Sequence, residues 1–160
     1  LDSFELAAIS PHEIDSERTE GISLNDIEAG RMANIINTLK PDVVYIDAID
    51  SYVKTFRTRL SKFLEFTPKK MILEHKADVN YPICSAASIL AKVERDRDIK
   101  KLGEEYGEIG SGYPSDPVTV SFLKSWIKEH KTLPPIVRES WSTAEELKSK
   151  KKQKSLSDFE

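Results

Sequence analysis

Apolar positions along this chain follow two periods, one near 3.6 residues and one of continuous short runs, and together they predict an alternation of helices and strands. Phe4–Ile9 is a short apolar run that predicts a strand, and the polar, turn-rich stretch from Pro11 to Gly21 predicts a loop. Ser23-Leu24-Asn25-Asp26 has the character of a capping box: the hydroxyl accepts from an early backbone N–H while the acid reaches back. After it, Leu24, Ile27, Met32, Ile35, Ile36 and Leu39 recur at helical spacing, and Pro41 stops the helix. Val43–Asp47 is continuous and β-branched, the pattern of a buried strand. Val53, Phe56, Leu60, Phe63 and Leu64 predict one face of a second helix, and Met71–Glu74 a third strand. A long helix is expected from Pro82–Ser85 toward Tyr106, with its proline near the start, where no hydrogen bond is lost. Gly107–Pro117 reads as a loop. Val118–His130 reads as an amphipathic helix with Phe122, Leu123, Trp126 and Ile127 as its stripe, and Trp126 and Trp141 as core. A Pro134-Pro135 break precedes a last helix near Thr143–Lys151.

The order strand, helix, strand, helix, strand, helix is that of βαβ units, so the fold class is α/β with a sheet covered by helices. In such sheets ligands collect at the carboxyl ends of the strands, where Asp47 and the turn His75-Lys76-Ala77-Asp78 fall. The 160 residues suit one compact domain, and 39% hydrophobic with 32% charged residues is an ordinary globular balance. A single cysteine, Cys84, excludes an internal disulfide and suits a reducing, cytoplasmic setting. No apolar run approaches membrane-spanning length and no signal peptide is visible. The net charge of −3 does not announce a nucleic-acid binder, but Lys148, Lys150, Lys151, Lys152 and Lys154 form a basic tail, either solvated or phosphate-attracting.

Asp47 ends an apolar strand, where a carboxylate serves as a metal ligand or caps the next helix. Asp50, nearer that helix, fits the capping role better. Asp78, between a strand and a helix, carries the same two readings. Hydrolysing a phosphodiester calls for a nucleophilic hydroxide and a stabilised leaving oxygen, which two divalent ions about 3.5–4 Å apart supply. Hard Mg²⁺ or Mn²⁺ takes oxygen ligands, so clustered carboxylates suit it. Ser85-Ala86-Ala87-Ser88 gives a helix start either hydroxyls and free N–H groups for a phosphate or small side chains for close packing. Lys92, one turn on, either reaches the same phosphate or pairs with Asp96. Lys76 and His75 flank the turn in supporting roles. Tyr113, in Gly110-Ser111-Gly112-Tyr113-Pro114, either stacks on a base or sugar or plugs the core.

Taken together, Val43–Asp47, His75–Asp78, Ser85–Val93, Arg95-Asp96 and Gly110–Pro117 resemble ribonuclease HII in its archaeal-type form. The resemblance implies a ribonuclease-H-like mixed sheet flanked by helices, with a C-terminal helical extension. On that footing residues 1–115 form the α/β domain, 116–150 the helical part and 151–160 a basic tail. It further implies an endoribonuclease that cleaves the RNA strand of RNA/DNA hybrids and incises at single ribonucleotides in duplex DNA, a monomer serving replication and repair. Asp47 and Asp78 then match the third and fourth metal-binding catalytic acids, holding two Mg²⁺ or Mn²⁺ ions. Tyr113 matches the tyrosine that stacks on the sugar at the RNA–DNA junction; beside these matches, Ser85, Ser88, Lys92 and Lys76 are expected from their own chemistry to contact nucleic acid.

Nothing in the sequence matches the family's first strand, with its first two acids and Gly-Arg-Gly segment, nor the Asp-Ser-Lys-Lys-Leu element that follows. Asp26-Ile27-Glu28-Ala29-Gly30-Arg31 imitates the first motif but carries an extra isoleucine inside a helical pattern, and is rejected. The chain begins at Leu1 inside an apolar run, so a fragment lacking the first strands, with little activity alone, is expected. Gln153, Leu156 and Phe159 resemble a sliding-clamp-binding peptide, with Glu160 in place of its second aromatic. Two rivals stand beside this reading: a phosphate hydrolase using Asp47 as nucleophile, and a non-catalytic nucleic-acid- or clamp-binding module.

Overall fold

The computed structural model describes residues 4–144 and 146. Its elements are α1 (Pro11–Thr19), α2 (Leu24–Leu39), β1 (Val43–Asp47), α3 (Val53–Ser61), β2 (Lys70–Glu74), α4 (Ala77–Asn80), α5 (Pro82–Tyr106) and α6 (Pro117–His130). They fall into two compact units. One is built from Thr19–Val93 with the segment ending at Ile9, the other from Ser10–Arg18 with the segment starting at Glu94. The chain passes from the first to the second within α5.

In the first unit the capping box forms. The hydroxyl of Ser23 accepts from the N–H of Asp26 at 3.1 Å and donates to the Asp26 carboxylate. Lys40 ends α2 in the left-handed region (φ 46°), its N–H donating to the carbonyl of Ile36 at 2.9 Å. The buried side of α2 supplies Ile27, Ala29, Ala33 and Ile36. Ala29, Ala33 and Ile36 pack with Phe56 and Leu60 of α3, Ile46 of β1 and Leu73 of β2 in one apolar cluster. Phe63 and Leu64, expected on the α3 face, follow the helix rather than belong to it.

β1 and β2 are parallel and in register from Val43↔Lys70 to Asp47↔Glu74, and the N–H of Ala48 extends the pairing to the carbonyl of Glu74 at 3.0 Å. The crossover between them contains α3, so this is the expected βαβ unit. The first expected strand, Phe4–Ile9, does not form: residues 4–10 are irregular. Phe4 and Leu6 stay exposed, and among the described residues no strand pairs with them. An apolar run becomes a strand only where a neighbour takes up its backbone groups.

The second unit corrects another expectation. Residues 11–19 are helical, not a loop, because Ser10 and Glu13 make a reciprocal cap. The Ser10 hydroxyl accepts from the N–H of Glu13 at 3.2 Å, and the Glu13 carboxylate accepts from the Ser10 N–H at 2.9 Å. Pro11 opens the helix where its missing N–H is harmless. Asp15 on α1 accepts from the N–H groups of Glu139 (2.6 Å) and Ser140 (3.1 Å) and from the Ser140 hydroxyl (2.6 Å). Burial alone would raise the Asp15 pKa. These bonds and the charge of Arg138 outweigh it and hold the carboxyl below its usual value. Ile109, Leu123, Ile127 and Pro134 are buried in this unit. Trp126 stacks on His130 (centroids 3.9 Å) and meets Tyr106 at 5.7 Å and Phe122 at 6.0 Å. Residues 142–144 and 146 are helical, and the rest of the expected last helix lies outside the described residues. No described helix is long and apolar enough to cross a membrane.

The first unit depends most on Phe56, which is fully buried in its core. Phe56→Ala is expected to lower stability by about 3–5 kcal/mol through lost burial and a residual cavity, read as a shifted midpoint in urea unfolding.

Candidate functional site

Parallel register brings the carboxyl ends of β1 and β2 side by side, so Asp47 and the residues after Glu74 meet at one end of the sheet. The chain turns there on Lys76, a non-glycine residue in the left-handed region (φ 60°, ψ 35°). Such a conformation costs about 1–2 kcal/mol. It is held by the N–H groups of Val79 and Asn80, which donate to the Lys76 carbonyl at 3.0 and 3.3 Å. The short helix α4, absent from the sequence-based expectation, results. It points the N–H of Ala77 at Asp47, whose Oδ1 accepts it at a long 3.4 Å. Asp78 follows in the first turn of α4. Both aspartates are half-buried, whereas His75 and Lys76 are exposed.

Cys84, buried in the first turn of α5, joins this group. Burial pushes its thiol pKa up; a hydrogen bond with the Asp47 backbone opposes this, and the charges of Asp47 and Asp78 reinforce it. Both carboxylates therefore act on one sulfur. Sequence reading used Cys84 only to exclude a disulfide; its place one turn into the helix after the His-Lys-Ala-Asp turn was the available signal. Glu74, which pairs with Asp47 across the strands, accepts from Asn80 Nδ2 at 2.7 Å and from the Tyr81 hydroxyl at 3.3 Å. It braces the α4 turn. The Tyr81 ring in turn meets Tyr45 at 4.6 Å.

Asp50 does not cap α3. The cap residue is Tyr52, with no side-chain cap bond. Asp50 is buried and accepts from Asn25 Nδ2 at 2.7 Å and Arg59 Nε at 3.0 Å. Arg59 also pairs with Asp26 and donates to the Ser23 hydroxyl at 3.2 Å. The hydrogen bond from Arg59, then that from Asn25, holds the Asp50 carboxyl below its usual range. For Asp26 the Ser23 bond leads, followed by Arg59. A carboxylate so engaged has no oxygen to spare for a metal, which supports setting aside the Asp26–Arg31 imitation.

Ser85, Ser88 and Lys92 lie on α5 at spacings of three and four, along one side of the helix. Ser85 is half-buried; Ser88 and Lys92 are exposed. The N–H groups of Cys84 and Ser85 are not free for a phosphate, since both donate to the Tyr81 carbonyl at 2.9 and 3.1 Å. What α5 offers an anion is therefore hydroxyl and ammonium. Ala87 is exposed, so close packing does not explain it.

In the second unit, Tyr113 sits on a loop built around Asp116. The carboxylate of Asp116 accepts from the N–H groups of Ser111 (2.6 Å) and Val118 (2.9 Å) and from the Thr119 hydroxyl (3.2 Å). Gly110 (φ 70°) fits this cradle because a Cβ there would lie 2.6 Å from Asp116 Oδ2 and 2.7 Å from the Thr119 nitrogen. Tyr113 is 48% exposed, so it is not a core plug. Gln153, Leu156 and Phe159 lie outside the described residues.

Two aspartates at one sheet end supply the hard oxygen donors that Mg²⁺ or Mn²⁺ takes. Among the described residues no three His, Cys, Asp or Glu side chains group to hold an ion. The donor chemistry of the two aspartates fits such an ion.

A family model described as Ribonuclease HII matches residues 2–144. The chain is 44% identical over 158 residues to ribonuclease HII of Pyrococcus abyssi, covering 98% of this chain and 69% of that protein. It is 48% identical over 155 residues to that of Methanoregula boonei, covering 94% and 70%. The crystal structure of ribonuclease H2 from Pyrococcus horikoshii superimposes with a TM-score of 0.80 at 41% identity, over 91% of this chain and 68% of that one. The ribonuclease HII of an Archaeoglobus fulgidus structure, a PCNA:RNase HII complex, does so with a TM-score of 0.74 at 40% identity, over 84% and 64%. The α/β fold class is thus borne out.

The Asp116 carboxyl is held down to about 2, first by the Ser111 backbone and side-chain bonds. Its usual value is about 3.9, so its contribution to the loop is complete above that pH and is lost as pH falls through about 2. The backbone amide resonances of Ser111 and Val118 are expected to titrate together with a midpoint near 2.

Proposed function

The chain belongs to the ribonuclease HII family, and on that premise we propose that it hydrolyses the RNA strand of RNA/DNA hybrids and incises 5′ of single ribonucleotides embedded in duplex DNA, leaving 3′-hydroxyl and 5′-phosphate ends. The observation that carries the reading is the convergence of Asp47 and the Ala77–Asp78 turn at one end of a parallel strand pair. Asp47 and Asp78 are the residues that would hold two divalent ions, Mg²⁺ or Mn²⁺. When bound, these supply activation of the attacking water and charge neutralisation at the leaving oxygen.

The remaining roles belong to side chains alone. Ser85 and Ser88 donate hydroxyl hydrogen bonds to the substrate backbone. Lys92 and Lys76 add positive charge that makes binding salt-dependent. Tyr113 stacks on the sugar at the RNA–DNA junction and so distinguishes a following deoxyribose. The enzyme acts as a cytoplasmic monomer in DNA replication and repair.

The test is an incision assay on duplex DNA carrying one ribonucleotide, in a polypeptide that supplies the family's first-strand acids ahead of Leu1. Asp47→Asn and Asp78→Asn are each expected to lower the metal-dependent rate by about 100-fold or more, since even residues outside the direct ligand set cost 10–100-fold. The 160-residue chain alone is expected to cut only at background. Wild-type rates in both aspartate variants would refute the assignment.

We propose further that Gln153, Leu156 and Phe159 dock in an apolar pocket of a sliding clamp, since a three-residue period would line the three anchors up on one face of a short helix when bound. The complex of PCNA with the A. fulgidus relative supports this reading. A peptide spanning Gln153–Glu160 is expected to bind the clamp at micromolar concentration in a calorimetric titration and to lose binding with Leu156→Ala and Phe159→Ala together.

A further inference from the structure

Arg95 and Tyr113 form a unit that the proposed chemistry does not yet use. The Arg95 guanidinium lies over the Tyr113 ring with Cζ 4.0 Å from the centroid, and its Nη2 donates to the Ser111 carbonyl at 2.6 Å. One planar group thus grips both the ring and the backbone two residues before it. The loop approaches closely because residue 112 is glycine. A Cβ there would stand 3.1 Å from Ile99 Cδ1 and 3.4 Å from Arg95 Nη2, and φ is 75°. On the far side Asp116 and Thr119 fix the same loop, with the Gly112 N–H donating to the Thr119 hydroxyl at 2.9 Å and the Asp116 N–H to the Tyr113 carbonyl at 3.1 Å. An exposed aromatic side chain is thereby held at both its backbone and its ring.

We propose that Arg95 is a positioning residue for junction recognition: it occupies one face of Tyr113, fixes the ring's orientation and leaves the opposite face for the nucleotide sugar. This rests on the reading of Tyr113 given above. The guanidinium suits the task where an ammonium does not, since its plane stacks on the ring while its edge donates to a carbonyl. A fixed ring surrenders less rotamer freedom on binding, so the gain falls on affinity for the junction.

The test uses the 160-residue chain labelled with 3-fluorotyrosine, the Tyr113 resonance being assigned by its loss in Tyr113→Phe. In Arg95→Met this resonance is expected to move toward the free amino acid and sharpen, with Arg95→Lys between. In parallel, affinities for a duplex with one ribonucleotide and for an RNA/DNA hybrid with an all-RNA strand, which has no RNA–DNA junction, are measured with EDTA present. Arg95→Met is expected to reduce the preference for the junction-bearing duplex by about fivefold, and Arg95→Met with Tyr113→Ala no further than Tyr113→Ala alone. An unmoved fluorine resonance overturns the proposal. So do additive losses, or a salt slope reduced by about one, which would make Arg95 a phosphate contact in its own right. Tyr113→Ala with unchanged preference overturns instead the Tyr113 reading, while the resonance still reports whether Arg95 holds the ring.

Discussion

The pairing of β1 with β2 decides which residues meet at the end of the sheet. Because the two strands are parallel and in register to their last residues, both chains leave the sheet at the same end. Asp47 is the last residue of one. The other continues through His75 and Lys76 into a turn whose first helical N–H reaches the Asp47 carboxylate. Slipping the register by one residue would carry that N–H roughly 3.3 Å along the strand and send alternate side chains to the wrong face. The left-handed backbone at Lys76, the bonds of Glu74 to Asn80 and Tyr81, and the buried thiol of Cys84 are all arranged around this one junction. None of them would matter if the strands ended apart.

Electrostatics then separates two kinds of acid within the same unit. Asp26 and Asp50 share Arg59 and further donors from Ser23 and Asn25, and both are held below the usual carboxylate range. Such a network fixes α2 against the segment after β1, and removing Arg59 would leave two like charges together. Among the described residues, Asp47 accepts one long backbone bond, from Ala77, and hard carboxylate oxygens with so few donors suit a cation. The difference lies in placement. Asp26 and Asp50 face a half-buried arginine, while Asp47 sits at the strand terminus beside the entry of α5.

Much of this was legible in the sequence because local signals and tertiary demands agree. The limits of β1, α5 and α6 follow from a continuous β-branched run, from prolines at helix starts and from Asp116 as a cap whose carboxylate accepts the Val118 N–H. The Ser23–Asp26 box and the Pro41 stop likewise frame α2. What escaped was of two sorts. Phe4–Ile9 has strand-like residues but no partner strand among the described residues, and pairing is not written in the run itself. Residues 11–19 looked like a loop because they are polar, yet Ser10-Pro11-His12-Glu13 carried a capping box and a helix-opening proline that composition obscured. The sequence offered two acids and a tyrosine as candidates. The braces around them, Glu74 and Cys84 in the first unit and Arg95 in the second, were not legible, because each acts through a contact between elements distant in sequence or across a turn.

The loop bearing Tyr113 shows why such braces are needed. A tyrosine flanked by glycines is conformationally free, and glycine raises the entropy lost on ordering. Left alone, the loop would make a poor recognition surface, since each bound conformation would have to be selected from many. Asp116 removes most of that freedom by collecting two backbone N–H groups and a hydroxyl on one carboxylate, close enough to Gly110 that no side chain is tolerated there. The glycines therefore serve close approach as much as flexibility: at 110 to the Asp116 cradle, at 112 to Arg95 and Ile99. The same residues that make the segment look mobile in sequence are the ones that allow it to be packed rigidly, and a rigid, half-exposed ring is what selective stacking on a nucleotide demands.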